Sequence, residues 1–127
     1  MKTTFNLDTI IFYVQDVENL KTFYSAIFGF EVVEAFESTW ALLSAGDGKI
    51  GLHQIGADYL DKSKGAFKFD SNTKIVFNID QDIHLLRTHL MDQGVEMREV
   101  KTFDAYDYWL CDGVDPEGNV FQLKQQK

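Results

Sequence analysis

The feature that most constrains the fold of this chain is a pattern that occurs twice, 65 residues apart. Each copy contains an alternating strand, an aspartate that can cap a helix, an amphipathic helix, a glycine and the start of a second strand. The glycines that end the two helices, Gly29 and Gly94, differ by the same 65 positions. The candidate caps are Asp16 in the first copy and Asp80 or Asp82 in the second. The chain is therefore predicted to fold as two similar halves.

Each copy continues with two further short apolar runs, so that each half is predicted to be β-α-β-β-β. These runs are residues 40–43 and 49–53 in the first half, and 107–111 and 119–123 in the second. We predict an α+β fold in a single domain, with the boundaries 1–127 for the domain, 1–54 for module one, 55–72 for a connection and 73–127 for module two. The connection is longer than most loops, so we expect it to contain a flap or a dimer element.

Composition excludes several classes of function. A net charge of −8 argues against a nucleic-acid partner, because phosphate binding needs clustered Lys and Arg. No stretch approaches the ~20 apolar residues of a membrane helix, so we expect no membrane partner either. A single cysteine, Cys111, excludes an internal disulfide and is typical of a small buried apolar residue. Since the first strand follows Met1 closely and nothing resembles a signal peptide, we expect a cytoplasmic protein.

Alternation along the two equivalent strands predicts which residues face a helix. Six large apolar side chains share one parity and are expected under the helices: Ile10, Phe12, Val14, Ile75, Phe77 and Ile79. The opposite parity carries a mixed set: Thr9, Ile11, Tyr13, Lys74, Val76 and Asn78. From alternation alone, this mixed set either faces solvent on an open sheet or lines a small-molecule cleft.

The last strand is preceded by a strong turn signal and contains Gln122 next to its last apolar residue, Leu123. The text reads Asp115-Pro116-Glu117-Gly118-Asn119-Val120-Phe121-Gln122-Leu123, in which Asp, Pro and Gly suit the first, second and fourth turn positions. With the opening segment LDTIIFYVQDVENLKTFYSAIFGFE, it resembles the glyoxalase, bleomycin-resistance and extradiol-dioxygenase superfamily, which has the vicinal oxygen chelate fold. The resemblance covers essentially the whole chain. It implies two βαβββ modules whose curved mixed sheets surround a cleft.

The resemblance also implies four metal-ligand positions, and this chain lacks the expected ligands there. The four positions fall on Thr9, near Gly51, on Lys74 and on Gln122, where the family's last strand usually has Glu. A neutral amide brings no charge to a divalent metal, and a protonated lysine repels it. We therefore expect no bound metal and no other cofactor.

The cleft that the resemblance implies would be lined by residues of both modules. Its predicted residues are Thr9, Ile11, Tyr13, Trp40, Gly51, His53, Lys74, Val76, Asn78, Tyr108 and Gln122. Alternation puts Tyr108 and Trp109 on opposite sides of their strand, and Glu34 and Asp107 are candidates for the rim. The aromatic residues offer stacking surface, and the acidic charge favours a cationic ligand. These features resemble the metal-free, drug-sequestering members, which bind ligands in clefts between two subunits.

Three functional hypotheses follow. The first is a metal-independent homodimer that binds a small organic ligand, with drug sequestration as one form of this function. The second is a glyoxalase-like lyase or isomerase that uses His53 or Lys74, since an imidazole titrates near neutral pH. A lone histidine is more often structural, so His53 is only a candidate catalytic residue. The third is a regulatory or interaction module with a vestigial cleft.

Overall fold

The computed structural model describes residues 3–4, 6–56 and 73–127, and each half has one helix and four strands. The first half contains β1 (Thr9–Val14), α1 (Val17–Phe28), β2 (Glu31–Phe36), β3 (Trp40–Ala45) and β4 (Gly48–Gln54). The second contains β5 (Lys74–Asn78), α2 (Ile83–Asp92), β6 (Glu96–Lys101), β7 (Tyr108–Val114) and β8 (Val120–Gln126). This order confirms the predicted β-α-β-β-β pattern in both halves.

Each half forms one four-stranded mixed sheet. The strand orders are β1-β4-β3-β2 and β5-β8-β7-β6, and in each sheet the first strand runs parallel to the last. The other neighbours are antiparallel. Both second strands, β2 and β6, carry a register shift, which begins after Val32 and after Met97. These positions are again 65 residues apart, and the α+β prediction is confirmed.

Both helices begin at a predicted aspartate, but only α1 ends at its predicted glycine; α2 ends at Asp92 with Gln93 as the C-cap, and Gly94 follows with a φ of 88°. Asp16 caps α1, and its carboxylate accepts a hydrogen bond from the backbone N–H of Asn19 at 3.0 Å. Gly29 ends α1 with a φ of 71°, in the left-handed region that favours glycine. Of the two candidate caps of α2, Asp82 is the one used. Its carboxylate accepts from two backbone N–H groups, and the donation from Leu85 contributes most to lowering the pKa of Asp82.

A hydrophobic core lies between the helix and the sheet of each module. The most deeply buried apolar residues are Val14, Val17, Leu20, Tyr24, Ala41, Leu43 and Leu52 in module one, and Ile83, Leu90, Cys111, Phe121 and Leu123 in module two. The alternation prediction has the correct parity, because Ile11 and Val76 are about half exposed while their neighbours are more buried. Of the six predicted helix-facing residues only Val14 is fully buried, since β1 and β5 are edge strands of their sheets.

The chain divides into two compact units, Met1–Lys64 and Gly65–Lys127. Most of the predicted connection 55–72 lies outside the described residues, so its role as a flap or dimer element stays a prediction, as do the single-domain description and the module boundaries. Of the helices in the described ranges, neither is long and apolar enough to cross a membrane.

Candidate functional site

The open face of the first sheet carries a row of four ring side chains, one from each strand. We call Tyr13, His53, Trp40 and Phe36 the aromatic row. Directly paired positions place them side by side, Tyr13 with His53, His53 with Trp40, and Trp40 with Phe36. The ring centroids of Tyr13 and His53 are 5.3 Å apart, and those of Trp40 and His53 are 6.1 Å apart. Tyr13 and Phe36 are 63% and 64% exposed, so the row presents a broad apolar surface.

Gly51 explains how the indole of Trp40 lies against the sheet. A Cβ atom at position 51 would lie 2.6 Å from Cη2 of Trp40 and 3.0 Å from Cγ1 of Ile11, which is closer than side chains tolerate. The indole Nε1–H of Trp40 also donates a hydrogen bond to Oε2 of Glu34 at 3.0 Å. The indole therefore packs over Gly51, which has no side chain, and its edge is held by the carboxylate of Glu34. Glu34, predicted for the rim, lies on this open face.

His53 is exposed and is oriented by backbone rather than by a carboxylate. Its Nδ1 lies 2.7 Å from the backbone carbonyl oxygen of Gln54. Because a carbonyl can only accept, this hydrogen bond assigns the proton to Nδ1 and leaves Nε2 as the acceptor of the neutral ring. The ring lies between Tyr13 and Trp40, and within the described residues no carboxylate hydrogen-bonds to it. Among the described residues, His53 thus lacks the Asp or Glu partner that orients a general base.

The open face of the second sheet is organised around Asp112, which the sequence analysis missed. The ammonium of Lys74 lies 2.9 Å from its Oδ2, and the amide nitrogen of Gln122 donates to its Oδ1 at 2.9 Å. The guanidinium of Arg98 lies 3.8 Å from Oδ2. We call Lys74, Arg98, Asp112 and Gln122 the Asp112 cluster. Both carboxylate oxygens are occupied, and the Asp112 side chain is only 15% exposed.

Asp112 is ionised at neutral pH despite its burial. Burial alone would raise the pKa of its carboxyl group. The hydrogen bonds from Lys74 and Gln122, together with the positive charges of Lys74 and Arg98, outweigh burial, so the pKa of Asp112 lies below its usual range. The predicted seventh strand ended at Cys111, three residues before the observed end at Val114, and so it left out Asp112. Two-residue alternation from Tyr108, which was predicted to face the cleft, would have found Asp112.

A pocket of about 230 Å³ lies beside the Asp112 cluster. It is lined entirely by module-two residues: Lys74, Arg98, Glu99, Lys101, Phe103, Leu110, Asp112 and Gln122. Sequence parity could not place the β6 residues of this pocket, because the register shift leaves Arg98 and Glu99 together opposite Asp112. Gln122 and Lys74 lie on the neighbouring strands β8 and β5, and both side chains donate hydrogen bonds to Asp112.

The remaining predicted residues of module two follow the expected parity. Tyr108 lies on the open face, where the ammonium of Lys124 is 4.1 Å from its ring centroid. Trp109 lies on the other side, with its ring 5.3 Å from that of His84 on α2. Val76 and Asn78 are exposed on the open face of β5. The structure describes two open faces, one for each module, and a single cleft lined by both stays a prediction.

The four positions that the family uses for metal ligands do not fit a divalent metal in this chain. The Thr9 hydroxyl donates to the Asp8 carboxylate at 2.5 Å, and Gly51 has no side chain and lies under Trp40. Lys74 and Gln122 both donate to Asp112. Within residues 3–4, 6–56 and 73–127, no group of three or more His, Cys, Asp and Glu side chains could hold a metal ion. The donor groups at these positions are therefore unsuited to metal-assisted chemistry of the family type.

Comparisons with known proteins agree with this fold. The family model described as Glyoxalase/Bleomycin resistance protein/Dioxygenase superfamily matches residues 6–123. TnmS3, an antibiotic-binding protein from Streptomyces sp. CB03234, is 19% identical with a TM-score of 0.73, and 100% of each chain is covered. A lactoylglutathione lyase from Agrobacterium tumefaciens is 14% identical with a TM-score of 0.72, covering 97% of this chain and 95% of that one.

A third similar structure is an integron cassette protein from the mobile metagenome of V. cholerae. It is 23% identical with a TM-score of 0.71, covering 100% of this chain and 99% of that one. At these identities the three structures support the fold alone, whereas the family model matches nearly the whole chain. Two βαβββ modules, the Asp115 turn and the match over residues 6–123 lead to one conclusion. The chain belongs to the glyoxalase/bleomycin resistance protein/dioxygenase superfamily.

Proposed function

We propose that this protein binds a small organic ligand without a metal ion, using the open faces of its sheets. The observation that carries this proposal is the aromatic row, in which Tyr13 and Phe36 remain more than 60% exposed. Exposed rings that lie side by side on a sheet give a flat surface for stacking a planar ligand. The packing of Trp40 on Gly51 supports the same proposal, because a pre-positioned ring loses little conformational freedom on binding.

Drug sequestration is the form of binding that we favour. It needs a surface that retains a ligand, and it needs neither a nucleophile nor a general base. The similarity in fold to an antibiotic-binding protein from Streptomyces supports this choice. The carboxylate of Glu34 accepts a hydrogen bond from the indole of Trp40, and this contact helps to fix the orientation of the stacking surface.

The lyase or isomerase hypothesis has less support from the site. The Nδ1 of His53 is engaged with a backbone carbonyl, and no carboxylate within the described ranges orients the ring. Lys74 is ion-paired with Asp112 at 2.9 Å, and an ion-paired ammonium is a poor base and nucleophile. The interaction-module hypothesis predicts that the aromatic row binds no small molecule at all.

We also propose a cytoplasmic homodimer. Strand β2 is at the edge of the first sheet and is exposed along its whole length, including Val33 and Phe36. An exposed edge strand with apolar side chains is a favourable surface for pairing with a second copy. Sedimentation at micromolar concentration is expected to give a dimer, and a monodisperse monomer would contradict this part of the proposal.

The proposed function can be tested with the chain's own fluorescence. The sequence has two tryptophans, and only Trp40 lies on an open face. A Trp109→Phe variant reports on Trp40 alone, and a Trp40→Phe variant is the matched control. We expect drug-like aromatic ligands to quench the fluorescence of Trp40 by stacking on its ring. They should also raise the melting temperature, because a ligand at ~100 Kd adds about 2.7 kcal/mol to the free energy of unfolding.

Three outcomes would contradict the proposal. If no ligand in a broad panel binds, the interaction-module hypothesis is favoured. Ligand binding that is unaffected by Tyr13→Ala and Trp40→Ala would show that the aromatic row is not the site. One tightly held transition metal per chain in elemental analysis would contradict metal independence, and His53 would then be the first ligand to test.

A further inference from the structure

We infer that the pocket beside the Asp112 cluster selects an anionic group, so that the ligand is an organic acid with an apolar body. This inference rests on the proposed function, because it specifies the chemistry of the ligand. The first observation is the charge of the pocket. Three cations, Lys74, Arg98 and Lys101, line it against two carboxylates, Asp112 and Glu99. The chain as a whole has a net charge of −8, so this local excess of positive charge opposes the overall trend.

The two carboxylates of the pocket are already neutralised. Asp112 accepts hydrogen bonds at both oxygens, from Lys74 and Gln122, and Arg98 lies beside it. The side chain of Glu99 is 85% exposed, and its carboxylate is paired with the guanidinium of Arg87 at 3.3 Å. A cationic ligand would therefore find no unoccupied carboxylate oxygen on Asp112. The carboxylate instead holds Lys74 and Arg98 in place.

Two cations remain for a ligand. Arg98 is 54% exposed and contacts Asp112 only at 3.8 Å, which leaves most of its donors for another acceptor. Lys101 has no ion-pair partner within the described residues. A carboxylate or phosphate placed between these two groups would receive charge-assisted hydrogen bonds, which are stronger than hydrogen bonds between neutral groups. Such a site attracts an anion even in an acidic protein, because charges beyond about 8–10 Å are screened at physiological salt.

The same pocket supplies apolar surface for the body of the ligand. Phe103 and Leu110 line it beside the cations, and Leu110 is paired directly with Lys101 across β6 and β7. At about 230 Å³ the pocket is smaller than the roughly 300–1,000 Å³ of drug-sized sites. It is therefore suited to an acidic group and one adjoining ring, and not to an entire large drug. The acid is recognised here by Arg98 and Lys101, and the ring by Phe103 and Leu110.

The test compares ligands that differ only in charge. An acid, an alcohol and an amine are each attached to a phenyl, a naphthyl and an indolyl ring, and binding to the full chain is measured by titration calorimetry. We expect the acids to bind most tightly. Lys101→Met and Arg98→Gln are expected to weaken acid binding by about three- to tenfold, as for loss of one charge-assisted contact, and to leave the alcohols unchanged. Lys21→Met removes the same charge from α1, outside the pocket, and should change nothing.

The outcomes separate this inference from the function on which it rests. Amines or alcohols that bind more tightly than the acids, or acid affinities unchanged in Lys101→Met and reversed-charge Lys101→Glu, would overturn the anionic pocket while leaving ligand binding intact. Failure of all nine compounds, together with failure of the broad panel, would overturn the proposed function as well. Melting curves establish that each variant is folded, and because Lys101 is exposed, its two variants are expected to fold normally.

Discussion

The two modules have the same core positions and different open faces. Phe12 is paired with Leu52 in the first sheet, and Phe77, 65 residues later, is paired with Leu123 in the second. Both leucines are almost completely buried. On the opposite faces the first sheet carries the aromatic row and the second the Asp112 cluster. The repeat therefore preserves the residues that stabilise each module, while the exposed faces, which contribute less to folding, have different chemistry.

One pair of equivalent positions illustrates the difference in chemistry between the two open faces. Gly51 is paired with Ile11, and Gln122 is paired with Val76, which lies 65 residues after Ile11. In the first module the glycine makes room for an indole, whereas in the second the glutamine donates a hydrogen bond to Asp112. The same place in the fold thus packs under an indole in one module and carries a polar side chain bonded to a carboxylate in the other.

The largest expected effect tests whether the cores are equal. Leu52→Ala and Leu123→Ala should each lower the free energy of unfolding by about 2–5 kcal/mol, because each removes a fully buried side chain and leaves a cavity. Urea unfolding followed by far-UV circular dichroism measures both. A loss below about 1 kcal/mol in one variant alone would show that the two modules are not equivalent in the core.

The next prediction contrasts two glycines that pack on opposite faces. A Cβ atom at Gly113 would lie 2.3 Å from Cζ of Phe121 and 2.6 Å from Sδ of Met97 in the core. Gly113→Ala should therefore cost about 1–3 kcal/mol through overpacking. Gly51→Ala should cost less, about 0.5–1 kcal/mol, since Trp40 can move toward solvent, but it should also change Trp40 fluorescence and weaken ligand binding.

A third glycine is the control for this pair. At Gly48 the nearest atom to an added Cβ is the backbone oxygen of Asp8 at 3.7 Å, which is an ordinary contact. Gly48→Ala should leave the melting temperature and the Trp40 signal close to those of the wild type. Equal losses in Gly51→Ala and Gly113→Ala would contradict the distinction between an open face and a packed one.

The third prediction concerns the charge at the centre of the second open face. Asp112→Asn should lower the free energy of unfolding by about 1–2 kcal/mol at neutral pH, since it removes the negative partner of Lys74 and Arg98. Because the pKa of Asp112 is depressed in the folded state, its contribution is present above the unfolded-state pKa and is lost as pH falls through the folded-state pKa.

Urea unfolding as a function of pH measures this contribution. The difference between wild type and Asp112→Asn should be full at about pH 6 and should shrink below about pH 4, where the unfolded carboxyl begins to bind a proton. If the difference stays constant over this range, the charge of the Asp112 carboxylate contributes nothing to the free energy of unfolding. The loss in Asp112→Asn would then come only from the different hydrogen-bonding geometry of the amide.

The smallest expected effect lies on the first open face. Glu34→Ala removes the acceptor for the indole of Trp40 and should cost about 0.5 kcal/mol, because the bond is solvent-exposed. Glu34→Gln keeps an acceptor oxygen and should cost less. The emission maximum of Trp40 in the Trp109→Phe background distinguishes them, and identical spectra for all three proteins would show that Glu34 does not orient the ring.

Much of the fold could be predicted because short segments determine it. The carboxylate of Asp115 accepts from the backbone N–H groups of Glu117 and Asn119 at 2.9 Å, and Gly118 has a φ of 89°. These contacts join residues at most four positions apart, so the Asp-Pro-x-Gly text is enough to predict the turn. The same holds for the cap at Asp16 and for the parity that separates Tyr108 from Trp109.

The site depended on register, and register is a property of the whole sheet. Arg98 reaches the open face through a bulge opposite Asp112, and Phe36 joins the aromatic row only because β2 pairs with β3 in the observed alignment. Both pairings join strands that are consecutive in the chain, but each contains a register shift that two-residue alternation does not reveal.

The sequence by itself determined the two βαβββ halves, their caps and the side of each strand that faces a helix, because those features follow from hydrogen bonds and packing between near neighbours. Only the tertiary structure decided that Lys74 and Gln122 share one carboxylate, Asp112, which is 38 residues from the first and 10 from the second. Ion pairing between distant strands requires the sheet to form first, and so the charge of the pocket could not be deduced from net composition.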